Sequence, residues 1–251
     1  MSNGIILWEG ASLLDGAPIV AIAIGLKTGS TNSKTGAMLQ TYILRADVHP
    51  LDAIASGEDA SICGDCPHRG TVANGKNTGR TCYVQVGQGP AAVYKAYRAG
   101  KYPRASAADL YDIGKRRIVR LGTYGDPAAI PSDVWARLIC FAIAHTGYTH
   151  QWRKNQELRG LLMASADSLE ESAEAQAAGW RTFRVAMRAE TKQSAESICP
   201  ASAEAGKKLT CADCLLCHGS GQGLRKSIVI RPHGGFAVMA NVSKYQQQVT
   251  A

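Results

Sequence analysis

The chain has 251 residues, 45% of them hydrophobic and 19% charged, enough for one full core or two small ones and outside the range of a disordered or fibrous chain. Its 28 Lys and Arg against 20 Asp and Glu leave a formal charge of +8, which suits a polyanionic partner such as nucleic acid or a phosphorylated substrate. The longest apolar run, Ala17–Leu26, is broken by Pro18 and Gly25 and falls short of the ~18 residues of a membrane span, and Glu9 and Asp15 stand where a secretory signal would be basic. A cytoplasmic protein with no membrane partner is expected.

A single domain is expected, beginning with an N-terminal β region over 1–57. Ile5–Trp8, Pro18–Leu26 and Met38–Arg45 are β-branched or apolar runs, and the polar segment Lys27–Gly36 between the last two reads as a hairpin loop. That segment is not a phosphate loop. The pattern GxxxxGK[ST] wants glycine where Thr28 and Ser33 stand, and a strand follows instead of a helix. Residues 58–90 form a first cysteine loop. Within 91–198, helices are expected at Ala91–Ala99, stopped by Gly100, and at Ser106–Ile113. A strand at Ile118–Gly122 and a helix at Ser132–Ala144, opened by Pro131, come next. Strands at Gly147–Gln151 and Leu161–Ala164 follow, then a helix at Ser168–Ala178 with a serine N-cap and early glutamates, ended by Gly179, and a strand at Trp180–Met187. A second cysteine loop spans 199–226, and a strand at Ile228–Arg231 opens the tail over 227–251. Short-spaced alternation of β and α implies parallel strands with crossover helices. The expected fold is therefore α/β, a (β/α) barrel or part-barrel rather than an open sheet. No GxGxxG opens a helix, which argues against a dinucleotide site.

Seven of the eight cysteines fall into two groups, Cys63-x2-Cys66-x15-Cys82 and Cys199-x11-Cys211-x2-Cys214-x2-Cys217, while Cys140 stands alone on an apolar helix as a small core residue. A two-residue gap lets two thiolates turn toward one ion or cluster edge. Structural zinc usually draws two ligands from each of two knuckles. Three cysteines on one loop plus an outlier followed by Pro200 are closer to ferredoxin-type ligation of a [4Fe–4S] cluster. Zinc remains the alternative. In the first group, either His68 completes a zinc site or three thiolates hold a cluster with one open iron. The two groups could also converge on one site. One or two iron–sulfur clusters are expected, with two zinc staples lacking chemistry as the plain alternative.

In a (β/α) barrel, function sits just after the strands. There the sequence offers Thr123, Tyr124 and Asp126, then His145, Tyr148, His150, Trp152 and Arg153, then Ser165 and Asp167, and finally Arg231 and His233. Asp126, His150 and His233 are candidates for proton transfer and substrate orientation. Thr123, Tyr148, Ser165 and Asp167 are candidates for cofactor contact. The plainer readings are a Gly-Asp-Pro turn at Asp126, buried and satisfied histidines, and a helix cap at Asp167 or Ser168. Separately, Tyr94, Tyr97 and Tyr102 interleave with Lys95, Arg98, Lys101 and Arg104, and Lys115, Arg116, Arg117 and Arg120 follow. Such a stretch suits single-stranded nucleic acid if the rings are exposed. It is a solvated helix if they pack inward.

The motifs ICGDCPHRG, CYV, RLGTYGDPAAIP, HTGYTHQWR and CPASAEAGKKLTCADC, with LWEG, DGAPIVAIA and SKTGAMLQTYILRAD before them, give the chain a whole-length resemblance to a family of uncharacterised cysteine-rich proteins encoded by phages, prophages and plasmids. The resemblance implies a mobile-element origin and no particular activity. More remotely, three cysteines ahead of a (β/α) scaffold resemble the radical S-adenosylmethionine enzymes. Those enzymes usually carry C-x3-C-x2-C on one loop, and here Cys82 lies far from Cys66 with no methionine-binding pattern in view. The remote likeness implies an iron–sulfur barrel and leaves the use of the cofactor open. The sequence thus predicts an iron–sulfur enzyme acting on a nucleotide or nucleic-acid-related substrate, against a zinc-stapled nucleic-acid-binding protein without catalysis.

Overall fold

The computed structural model describes residues 2–186, 192–220, 225–232, 239 and 241–242. Met187, where the strand from Trp180 was expected to end, and His233 lie outside them.

The three N-terminal apolar runs pair as an antiparallel meander of β1 (Gly4–Ala11), β2 (Pro18–Ile24) and β3 (Leu39–Arg45). Ile19 through Ala23 are fully buried, which explains why β2 reads as a continuous apolar run. Between β3 and residue 89 the sequence expectations contain none of the elements found: helix α1 (Pro50–Ser56), the single turn α2 (Ala60–Cys63), and the hairpin of β4 (Thr71–Ala73) and β5 (Lys76–Thr78) inside the first cysteine loop. Asn74 and Gly75 connect the hairpin with φ of 51° and 70°, as a tight two-residue hairpin turn requires.

Helices α3 (Gly89–Arg98) and α4 (Asp109–Gly114) follow, and β6 (Ile118–Tyr124) then joins β3 in parallel. The Thr41 hydroxyl fastens that junction, donating to the Arg120 carbonyl at 2.9 Å and accepting from the Gly122 amide at 2.9 Å. Helix α5 (Ser132–Ile139) stops well before Ala144, because the chain turns at Cys140 and the Ile143 amide bonds to the Arg117 carbonyl, so that Ala144 already opens β7 (Ala144–Thr149). Cys140 is exposed at that turn, not a core residue. β8 (Met163–Ala166), α6 (Leu169–Ala177) and β9 (Thr182–Val185) match the expected units, and Ser168 caps α6 by accepting from the Glu171 amide.

The sheet then crosses to an outer strand, β10 (Glu196–Ile198), before α7 (Cys211–Cys214) and β11 (Ser227–Ile230). The nine strands run β1-β2-β3-β6-β7-β8-β9-β11-β10, parallel from β3 onward. The expected α/β class is present, but the described strands do not close into a barrel: β1 and β10 stand at opposite ends of the strand order and do not pair with each other. Loops span the gap instead. The Cys211 amide bonds to the Lys34 carbonyl and the Ala212 amide to the Thr35 carbonyl, both at 3.0 Å, tying the β2–β3 loop to α7.

The main core lies between the sheet and helices α3 to α6, with Val119, Leu121 and Ala164 of the strands against Val93, Leu110, Trp135, Leu138 and Ala175. Trp135 is fully buried and donates from Nε1 to the Pro127 carbonyl. At the far edge, Arg184 of β9 and Glu196 of β10 form a fully buried two-point ion pair at 2.7 and 2.9 Å. No described helix is long and apolar enough to cross a membrane.

Candidate metal and substrate cavity

Strand alternation sends every second residue away from the core. Gln40 and Tyr42 of β3, Arg120 and Tyr124 of β6, Thr146 and Tyr148 of β7, Ser165 of β8 and Phe183 of β9 line one cavity of about 650 Å³. Their neighbours Val119, Leu121 and Ala164 face the core. All seven grouped cysteines line the same cavity, with Asp126, His150, Asp167 and Thr123. The two cysteine groups, far apart in sequence, therefore share one wall.

The first group is built by a folded-back loop. Cys63 ends α2, and Cys66 precedes a short turn at Pro67–Arg69. The long spacer to Cys82 is the β4–β5 hairpin, and its return is fixed when the Thr81 and Cys82 amides both donate to the His68 carbonyl. Arg69 clamps the loop, donating to the Gly64 and Gly57 carbonyls at 2.9 and 2.7 Å and to Asp59 at 2.8 Å. Gly64 has φ 59°, and any Cβ there would lie 2.5 Å from the Gln151 side chain, which packs over the loop and donates to the Cys63 carbonyl. Burial pushes the Cys63 thiol well above its ordinary value, and the charges of Cys66 and Cys82 add to the shift. Burial also raises Cys82. Thiols held this way keep their protons until a metal displaces them.

In the second group, Cys199 follows β10 and its amide bonds to the Val229 carbonyl at 2.8 Å. Cys211 and Cys214 sit on α7, whose start is locked by a capping box between Thr210 and Asp213. Leu215 adopts φ 54°, turning the chain so that Cys217 comes back to β7, where the Gly147 amide bonds to its carbonyl. Burial pushes the Cys217 thiol up to about 12, against a hydrogen bond with Tyr148. Tyr148 packs on Phe183 with ring centroids 4.5 Å apart.

The donor chemistry fits a metal group: four thiols in one set and three in the other, each set mutually interacting and facing a cavity. A zinc ion bound at 2.3 Å would hold its sulfurs about 3.8 Å apart. Among the described residues, no three thiols have sulfurs within 4.8 Å of one another.

The Nδ1 of His68 pairs with Thr81 Oγ1 at 2.7 Å and its Nε2 with Asp167 Oδ1 at 2.8 Å. Asp167 does not cap α6. It reaches His68 and also lies 3.3 Å from His150 Nε2. The two histidine contacts outweigh burial and hold the Asp167 carboxyl far below the carboxylate range. Burial opposes charge on His150, but the neighbouring Cys66 and Asp167 raise it well above the ordinary histidine value. Asp126 forms the Gly-Asp-Pro turn: Oδ1 accepts from the Ala128 amide at 3.0 Å and Oδ2 from the His150 amide at 2.9 Å. It thereby fixes the backbone of His150. Burial raises its carboxyl despite these bonds. Thr123 donates to Gln40 Oε1 at 2.6 Å. His145 pairs with the Leu161 carbonyl beside His218, and Trp152 is buried in the main core.

The tyrosine–cation stretch takes the plainer form. Tyr94 is buried, and Tyr97 and Tyr102 are half-buried against the core. Arg104 pairs with Glu9, Arg98 donates to the Ala46 carbonyl and Arg117 to the Ile113 carbonyl, while Lys95, Lys101 and Arg116 are exposed. Cations without exposed rings do not make a stacking platform.

Sequence reasoning missed Arg120 and Arg80. Arg120 was grouped with the surface cations, yet it is buried, donates to the Tyr83 hydroxyl at 3.1 Å and neighbours Cys211. The signal was available: a lone arginine between Val119 and Leu121 on an apolar strand must face the opposite side. Eight buried polar side-chain atoms among the described residues have no hydrogen-bond partner. Setting aside those of Asn77 and Arg181, the other six belong to cavity residues: Arg80, Tyr124, Thr146, Arg120, His150 and Asp167. Orphaned buried groups are costly, and their concentration marks a binding site. No family model, curated protein or solved structure matches the chain.

Proposed function

We propose that this is a mobile-element iron–sulfur enzyme of the host cytoplasm. Its part-barrel scaffold encloses a cavity for a nucleotide or nucleic-acid-related substrate. The observation that carries the reading is the convergence of all seven grouped cysteines and six unpaired polar atoms on one cavity. The bridge between the β2–β3 loop and α7 supports the part-barrel, since it joins elements from opposite regions of the sheet.

Cys199, Cys211, Cys214 and Cys217 would hold one [4Fe–4S] cluster, and Cys63, Cys66 and Cys82 a second with an open iron. Such clusters supply electron transfer and, at an open iron, a place for a ligand. The chain's own residues have distinct tasks. Tyr148 hydrogen-bonds to Cys217, and Arg120 sets a positive charge beside Cys211. Both would stabilise thiolate charge. Arg120 and Arg80 carry unused Nε donors into the cavity, suited to phosphate or carboxylate oxygens. His150, fixed by Asp126 through its amide, stands at the cavity wall to orient a substrate.

The test is metal and sulfide analysis of anaerobically purified protein. Iron with acid-labile sulfide and broad absorption near ~400 nm is the expected result. Protein without iron or sulfide would end the reading, and about two zinc ions per chain in their place would favour the non-catalytic zinc alternative.

A further inference from the structure

His68, His150 and Asp167 come from three separate parts of the chain: the turn after Cys66, the end of β7 and the end of β8. One ligand atom from each lies within 4.8 Å of the other two. The contact of His150 Nε2 with Asp167 Oδ2 is unusual. The atoms are 3.3 Å apart, yet they do not align as a hydrogen bond, and both are buried with no hydrogen-bond partner. The Asp167 side chain is only 7% exposed. Two buried polar atoms this close without a hydrogen bond between them, beside a second histidine on the same carboxylate, form a compact donor set.

We propose that this donor set is a mononuclear site for a divalent transition ion, zinc or ferrous iron, held by the Nε2 atoms of His68 and His150 and the carboxylate of Asp167. Ligands about 2.1 Å from an ion stand about 3.0 Å apart at a right angle and about 3.4 Å apart in a tetrahedron. The observed 2.8 Å and 3.3 Å separations bracket the first value and approach the second. Imidazole nitrogen suits zinc and iron, and two histidines with one carboxylate leave coordination positions open. Those positions face the cavity, where water or a substrate oxygen can enter. Around the ligands stands the support that metal histidines normally have. Thr81 Oγ1 lies 2.7 Å from His68 Nδ1 and fixes that ring, and the His150 backbone is held by Asp126. The ion would sit beside Cys66, which contacts His150, without using a thiolate. None of the seven grouped cysteines serves as a ligand of this site.

Cobalt(II) titration of the full-length protein, purified anaerobically and freed of loose metal with a chelator, tests the assignment. One equivalent should bind with weak visible ligand-field bands and without the strong near-ultraviolet charge transfer of a cobalt–thiolate bond. Asp167→Ala and His68→Gln should each abolish it, with circular dichroism, iron and sulfide content unchanged. Thr81→Val, which leaves all three ligands in place, should weaken binding by about 10- to 100-fold. Failure of the folded wild-type protein to bind cobalt, or ligand-field bands that stay complete in folded His68→Gln or Asp167→Ala, would overturn the proposal. The cluster reading is judged by iron and sulfide and can fail or stand separately.

Discussion

Substituting Glu196 by alanine removes the partner of an arginine that is 0% exposed. The carboxylate receives two bonds from Arg184 and a third from the Gln193 amide at 2.9 Å. Without it, a guanidinium is left charged inside the sheet, and breaking a buried pair from one side costs about 3–5 kcal/mol. For a chain of this length each kcal/mol lowers Tm by about 2–4 °C, so a fall of about 6–20 °C is expected. Glu196→Gln keeps one acceptor and should lose less. Arg184→Met combined with Glu196→Leu removes both charges and should recover most of the loss. Burial disfavours the Glu196 carboxylate, but the Arg184 bonds outweigh it and lower its pKa. A depressed carboxyl stabilises the fold above its unfolded value of about 4.3 and ceases to do so as pH falls through the folded value, so Glu196→Ala should lose less stability on acidification than wild type. Urea denaturation followed by tryptophan fluorescence measures each step. A loss under about 1 kcal/mol in Glu196→Ala, or a double variant no better than the single, would refute the account. Cys199 follows β10 directly, so iron content should fall with stability in the single variant.

Other consequences can be checked in the same preparations. Cys66→Ser and Cys214→Ser should each remove one cluster's share of iron and sulfide, whereas exposed Cys140→Ser should leave the content unchanged. Trp135→Ala empties a fully buried site and should cost about 3–5 kcal/mol by denaturant titration. Gly64→Ala forces a Cβ against Gln151 at a φ that disfavours it, and should release iron from the first group more readily than from the second, read as the rate of bleaching by a chelator.

The parts of the fold legible in the sequence are those where one rule decides. Pro18–Ile24 is wholly apolar, Leu39–Arg45 carries Leu39, Ile43 and Leu44 with β-branched Thr41, and Ser168 with Glu171 signals a helix start. Closure into a barrel is not seen among the described strands, because alternation of β and α fixes parallel pairing but not strand number or closure. β10 was invisible: a three-residue strand whose central feature is a buried glutamate reads as loop until Arg184 is placed opposite. The cysteines were found by spacing alone. Their convergence on one cavity was not, since the β4–β5 hairpin that returns Cys82 is exposed almost throughout and carries no core pattern. Asp167 was recognised as polar at a strand end, but its histidine partners lie far away in sequence, beyond local pattern.

The cavity also explains where the fold spends its strongest polar contacts. A parallel sheet ordinarily buries both faces in apolar packing. Here one face carries Gln40, Arg120, Thr146 and Ser165 into the cavity, and Arg120 and Thr146 keep polar atoms without partners. Buried polar atoms left unpaired are costly, and that cost is offset outside the cavity. The Arg184–Glu196 pair at one edge, the Arg69 clamp on Asp59 and two carbonyls, and the Thr41 bridge between β3 and β6 each pin an element that carries a cavity residue. None of the three lines up with a helix-packing role. Each stands within a few residues of a cysteine or a cavity donor, as expected if the fold were shaped to hold a binding site rigid rather than to maximise its own stability.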